Sequence, residues 1–108
     1  MSIQAFMPFG NTHAIAVTAG ASTPEQITGS PGPITAYQFV NAGSSTCWVV
    51  MAGSPTNAVI PAPGTPANGI PILPNEVVLY RGPADMFVSA ICAGGFSTTL
   101  YVTPGEGM

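Results

Sequence analysis

Apolar residues recur at alternate positions in short runs along this chain, and glycine or proline closes almost every run. The densest stretch is 76–102, EVVLYRGPADMFVSAICAGGFSTTLYV, in which runs at 77–80, 86–92 and 98–102 are parted by RGPAD and AGG. β-Branched and aromatic residues dominate all three, which predicts three consecutive antiparallel strands. In the last, Thr98, Leu100 and Val102 alternate with Ser97, Thr99 and Tyr101, the pattern of a strand with one buried face. In the middle run both sets are apolar, with Met86, Val88, Ala90 and Cys92 set against Phe87, Ser89 and Ile91. That strand is expected to be central and covered on both sides. Arg81 and Asp85 flank a Gly-Pro turn and are placed to pair across it.

Upstream, HAIAVT at 13–18 puts Ile15 and Val17 on one face with His13, and ITAYQFVN at 34–41 puts Tyr37 and Phe39 opposite Ile34, Ala36 and Val40. A turn at 42–45 leads into TCWVVMA at 46–52, which predicts a hairpin with 34–41 and places Trp48 and Val50 toward the core. Segment 69–74, GIPILP, is expected at a sheet edge because its proline removes a ladder donor. The loop 19–33 has room for a short pairing at 26–28, and Ser54-Pro55 can start one helical turn through 57–59. The sum is an all-β, single-domain β-sandwich or jelly roll of about seven short antiparallel strands with Pro/Gly-rich loops. Residues 1–11 are expected to form an extended N-terminal arm, free for a neighbour or laid as an edge strand on its own domain. Residues 12–103 form the sandwich, and 104–108 a tail too glycine-rich to hold structure alone.

Composition narrows the function classes. Charged residues are 5% of the chain, with one Lys+Arg, four Asp+Glu and a net charge of -3, against about 25% in an average protein. Disorder is excluded by 46% hydrophobic residues and a mean hydropathy of +0.42. A cytosolic monomer usually keeps neighbours apart with mixed surface charge, so this composition suits a life packed against other subunits. With a single cation, phosphate neutralisation is out of reach, and neither nucleic acid nor an anionic membrane is an expected partner. No apolar run reaches the roughly 20 residues of a membrane-spanning helix. The opening MSIQAFMPFGN lacks a basic start and long apolar stretch, so synthesis in a cytoplasm is expected.

Side chains with catalytic chemistry are scarce. His13 is the single histidine, and the carboxylates Glu25, Glu76, Asp85 and Glu106 all lie in or beside turn signals, so no catalytic triad or acid–base pair is predicted. One histidine with Cys47 and Cys92 matches no zinc spacing, and no metal or cofactor is expected. Cytoplasmic synthesis favours reduced, buried thiols for the two cysteines over a disulfide. Trp48, Tyr37, Tyr80 and Tyr101 suit either core and cross-strand packing or a sugar-stacking platform, and the first use is the commoner.

The tracts VIPAPGTPANGIPILPNEVVLY (59–80), LYVTPGEGM (100–108) and FMPFG (6–10) resemble small virion proteins of tailed bacteriophages, with capsid decoration (cement) proteins as the closest functional analogue. The resemblance implies a β-sandwich or jelly-roll subunit, often a dimer or trimer, on the capsid surface of a virion. It would bind and stabilise an assembled shell of major capsid protein and carry no catalytic residues. On that expectation the contacts fall on Ile3, Phe6 and Phe9 of the arm, on Val59, Ile60, Ile70 and Ile72 of the apolar tract, and on Arg81 as a single-charge anchor. The alternatives are a tail-fibre tip or carbohydrate-binding module that uses exposed aromatics, and a tail or connector component.

Overall fold

The computed structural model describes residues 6–29 and 32–106. Among them run nine strands and no helix: β1 (Met7–Pro8), β2 (His13–Val17), β3 (Glu25–Gln26), β4 (Ile34–Asn41), β5 (Cys47–Ala52), β6 (Ile70–Ile72), β7 (Val77–Pro83), β8 (Phe87–Cys92) and β9 (Thr98–Glu106). β1 and β2 lie end to end along one edge of β9, and β4 and then β7 follow on its other side. The second sheet is ordered β3-β8-β5-β6. All pairs are antiparallel, and the two sheets pack as a sandwich.

The pairing is nested. β5 pairs with β6, β4 with β7, β3 with β8 and β2 with β9, as the arms of one long hairpin would. Rolling that hairpin up brings β9 beside β4 and β8 beside β5, which is the strand order of a jelly roll. The runs 77–80, 86–92 and 98–102 are therefore not neighbours; they alternate between the sheets. Strands 34–41 and 47–52 likewise belong to opposite sheets instead of forming a hairpin. Side-chain alternation fixes which face of a strand is buried but not which strand lies beside it.

Inward-facing residues meet between the sheets: Tyr37, Phe39, Leu100 and Val102 from one, Val49, Val88, Ala90 and Ile72 from the other. Phe39 packs edge-on against Tyr80, with ring centroids 5.4 Å apart. Two buried polar groups tie the layers together. Tyr37 donates its hydroxyl to the Pro83 carbonyl (2.6 Å) and accepts from the Met86 amide (3.1 Å), fixing the crossing from β7 to β8. Asn41 donates to the Ser45 and Ile72 carbonyls (2.8 and 2.9 Å) and accepts from the Thr98 hydroxyl (2.6 Å) and the Gly43 amide (3.3 Å). Its amide is fully used, and it turns the chain after β4 away from a hairpin and toward the other sheet.

Proline marks where ladders stop. β6 is an edge strand, as its sequence predicts, and Pro71 faces the free side, where no partner needs its missing N–H. β9 runs on through Pro104 to Glu106, where the sequence alone suggested a tail after 103. Phe9 donates its amide to the Pro104 carbonyl (2.8 Å), and Pro104 has no N–H to return, so the edge breaks into β1 and β2 at that point. The helical turn expected at 54–59 is absent; that segment crosses the outside of β5 and β8, with the Ala58 amide donating to Ser89 Oγ (3.1 Å). Ser89 and Val50 on the outer side of that sheet are buried beneath it.

The two long sides of the sandwich differ. On the β2/β3 side the sheets are laced together: the Cys92 amide donates to Thr18, Ser22 exchanges bonds with Ala90, and His13 Nδ1 donates to the Glu25 carboxylate. On the β6/β7 side, among the described residues, no backbone hydrogen bond joins the two strands. A cavity of about 200 Å³ opens there between Phe39, Val49, Met51, Ile70, Tyr80 and Arg81.

Candidate interaction surfaces

The predicted contact residues do not form one patch. Ile3 lies outside the described residues. Phe6 is half-buried, and a Cβ on Gly105 would come within 2.8 Å of its ring, so residues 6–9 lie flat against β9 as an edge strand of their own domain. Val59, half-buried Ile60 and Ile70 belong to a strap tied by Asn68, which accepts from the Val59 amide (2.8 Å) and donates to the Asn57 carbonyl (3.0 Å). The Gly69 amide donates to the Val59 carbonyl (2.9 Å), bringing Val59 beside Ile70, and Ile70 and Arg81 rim the same cavity. Ile72 must be removed from the contact set. It is 0% exposed: Ile70 and Ile72 share the inward face of β6, opposite Val49 and Cys47, but Ile72 lies within the core while Ile70, 48% exposed, lies at the open rim of the cavity. The arm residues lie on the far side of β9 and β4 from Arg81.

A larger apolar surface is the outer face of the β9 sheet. One cross-strand row reads Ala14, Tyr101, Val40 and Val77, and the next places Thr103, Gln38 and Leu79 side by side. Val77 is 52% exposed, Leu79 42% and Ile34 63%, and Arg81 is the one charged residue in these β4 and β7 rows. Sequence reasoning missed this face although its signal was present: 77–81 and 34–41 are apolar on both alternating sets, more than a core on one side can absorb.

The third surface surrounds Trp48. The run TCWVVMA is apolar in both phases, and the structure takes the phase opposite to the expected one, with Cys47 and Val49 inward and Trp48 on the outer face between Pro71 and Ile91. Trp48 borders a cavity of about 290 Å³ with Ser44, Ser45, Thr46, Pro74 and Phe96, and Phe96 is 59% exposed. Of the four candidate aromatics, Tyr37 is fully buried, Tyr80 packs on the core and Tyr101 lies on the apolar sheet face.

The titratable groups serve structure. His13 and Glu25 meet, and their contact pins β2 to β3. Among the described residues no hydroxyl or thiol hydrogen-bonds to either of them, and no group of three or more metal-ligating side chains converges. Glu76 accepts from the Leu73 amide (2.8 Å) and closes the turn before β7. Cys47 and Cys92 are free thiols, opposite each other across β5 and β8. Burial, helped by Cys92 beside it, pushes the Cys47 thiol up to about 12, and burial raises Cys92 as well. Both thiols are held protonated and unreactive. Compared with protein-family profiles, curated proteins and solved structures, the chain finds no match in any of the three.

Proposed function

We propose that this chain is a non-enzymatic structural subunit of a tailed-phage virion that decorates an assembled head and stabilises it by contact with the major capsid protein. The observation that carries this reading is the outer face of the β9 sheet, where Val77, Leu79, Ile34 and Tyr101 are exposed and charge is almost absent. Such a face loses little hydration energy when covered, and repetition over a shell multiplies a modest contact. The jelly roll fits by analogy, since capsid and lectin domains both use it, and the analogy alone does not choose between them.

The test is co-sedimentation of the purified chain with capsids that lack it, read as copies bound per shell. Saturation in proportion to the capsomers, with gained resistance to heat, is the expected result. Binding of only a few copies would shift the assignment to a tail or connector component, and no binding would remove the head from consideration. Phe6→Ala with Phe9→Ala is expected to lower occupancy without unfolding the sandwich if the edge strand contributes to the contact.

A second reading rests on the Trp48 cavity. A half-exposed indole, a protruding Phe96 and the hydroxyls of Ser44, Ser45 and Thr46, with no charge among them, suit the apolar face and hydroxyl groups of a neutral sugar. That would make the chain a fibre-tip or carbohydrate-binding module. Acrylamide quenching of Trp48 with and without a glycan panel decides it: protection by one glycan supports the module, and equal quenching throughout rejects it.

A further inference from the structure

Four strand edges bound the two sheets, and three are blunted. β3 has two residues, β6 has three with Pro71 at its centre, and the β1/β2 edge is interrupted between Pro8 and His13. β7 is different. It runs for seven residues without lysine and without proline before Pro83, and among the described residues it pairs with β4 alone. A long edge lacking such protection is a template for another strand.

The ladder determines which groups are free. The Asn41 amide donates to Glu76, so in the antiparallel alternation Phe39 with Val78 and Tyr37 with Tyr80 exchange the hydrogen bonds between β4 and β7. The N–H and C=O groups of Val77, Leu79 and Arg81 therefore point away from β4, along the open edge. Spaced two apart about Leu79, they are self-complementary under a two-fold axis.

We infer that β7 pairs with β7 of a second copy, antiparallel and centred on Leu79, joining two β9 sheets into one continuous sheet. In this register Val77 and Arg81 of opposite copies exchange both bonds, and Leu79 does so with its own counterpart, leaving no free group in the row. On the outer face Leu79 packs on Leu79, and the aliphatic stem of Arg81 covers Val77 of the second copy, burying side chains now 42% and 52% exposed. The two Arg81 side chains stand four residues apart along the strands, roughly 13 Å, beyond the reach of strong repulsion at physiological salt. Low charge elsewhere, a net -3 over 108 residues, leaves little to oppose association. This names the surface for the self-association in the virion reading but does not depend on it, because failure to bind shells would leave the free dimer unchanged.

The experiment is sedimentation equilibrium of the full chain from roughly 10 µM to 1 mM, the range suited to a small interface. A monomer–dimer equilibrium is expected. Leu79→Lys and Leu79→Glu each place like charges across the axis on an exposed face, and each is expected to weaken the dimer by about tenfold or more. An equimolar mixture of the two is expected to associate again as a heterodimer. Circular dichroism matching the parent chain confirms that each variant is folded; a variant that unfolds is replaced by Val77→Lys, which faces Arg81 in the same register. A parent chain monomeric throughout, a dimer indifferent to these substitutions, or folded variants that do not recover on mixing would each overturn the assignment.

Discussion

Asn41 and Cys47 show how few side chains hold the ends and the middle of this sandwich. Asn41 is fully buried and every polar atom of its amide is bonded, so Asn41→Leu strands the Ser45 and Ile72 carbonyls, the Thr98 hydroxyl and the Gly43 amide together. Each unsatisfied buried group costs about 1–3 kcal/mol, and partial rehydration at the sandwich end softens the sum; a loss of about 3 kcal/mol in urea unfolding is expected. Cys47 acts through pH. Its thiol is raised from 9.0 to about 12 in the fold, so the neutral form is favoured there while the unfolded chain ionises first. The stability this confers is complete below pH 9 and is lost as pH climbs through about 12, at up to about 1.4 kcal/mol per pH unit for one group. Cys47→Ala should be less stable at neutral pH because of the cavity it leaves, yet show a shallower decline in urea midpoint between pH 9 and 12.

β9 is the element on which the first sheet depends, since β1, β2 and β4 all pair with it. Gly105 admits the edge strand: an added Cβ would lie 2.2 Å from the Met7 carbonyl oxygen and 2.8 Å from the Phe6 ring. Gly105→Ala is expected to displace residues 6–8 while β2, β4 and β7 stay paired. Hydrogen exchange should then show faster exchange confined to the β1–Phe9 region, and loss of protection across β4 would contradict it. Much at this scale was legible beforehand. The faces of 13–17, 34–41 and 98–102, the edge position of GIPILP and the sandwich class all followed from alternation and proline placement. What alternation could not give was partnership, because neighbours in a jelly roll are remote in sequence. It also left the phase of TCWVVMA open, since Cys47, Trp48, Val49 and Val50 are all apolar; that sent Trp48 to the wrong side and hid its cavity. The continuation of β9 past Pro104 escaped notice because the break that tolerates a missing N–H lies in another strand. Ile72 was not legible for a simpler reason: Ile70 and Ile72 flank Pro71 and share one face of β6, and their difference in cover comes from depth in the sandwich, which spacing in the sequence does not encode.

For the whole molecule, the nested pairing means that the longest loops must close to complete the first sheet. Chains of this kind fold in milliseconds to seconds, slower than sequence-local architectures of equal size. Nesting has a further consequence, which concerns the order of the chain more than its shape. Met7 stands opposite Glu106, while the tight turn around Gly64, where Ala62 and Thr65 bond to each other, is the exposed innermost bend of the roll. Joining the outer ends through their flanking residues and cutting at Gly64 would give a circular permutant with the same contacts read inside out. β2 and β9 would become a local hairpin, and β5 and β6 the most distant pair. Such a permutant should reach the same fold, with the same Trp48 emission, while the parts formed early and late in stopped-flow folding exchange places.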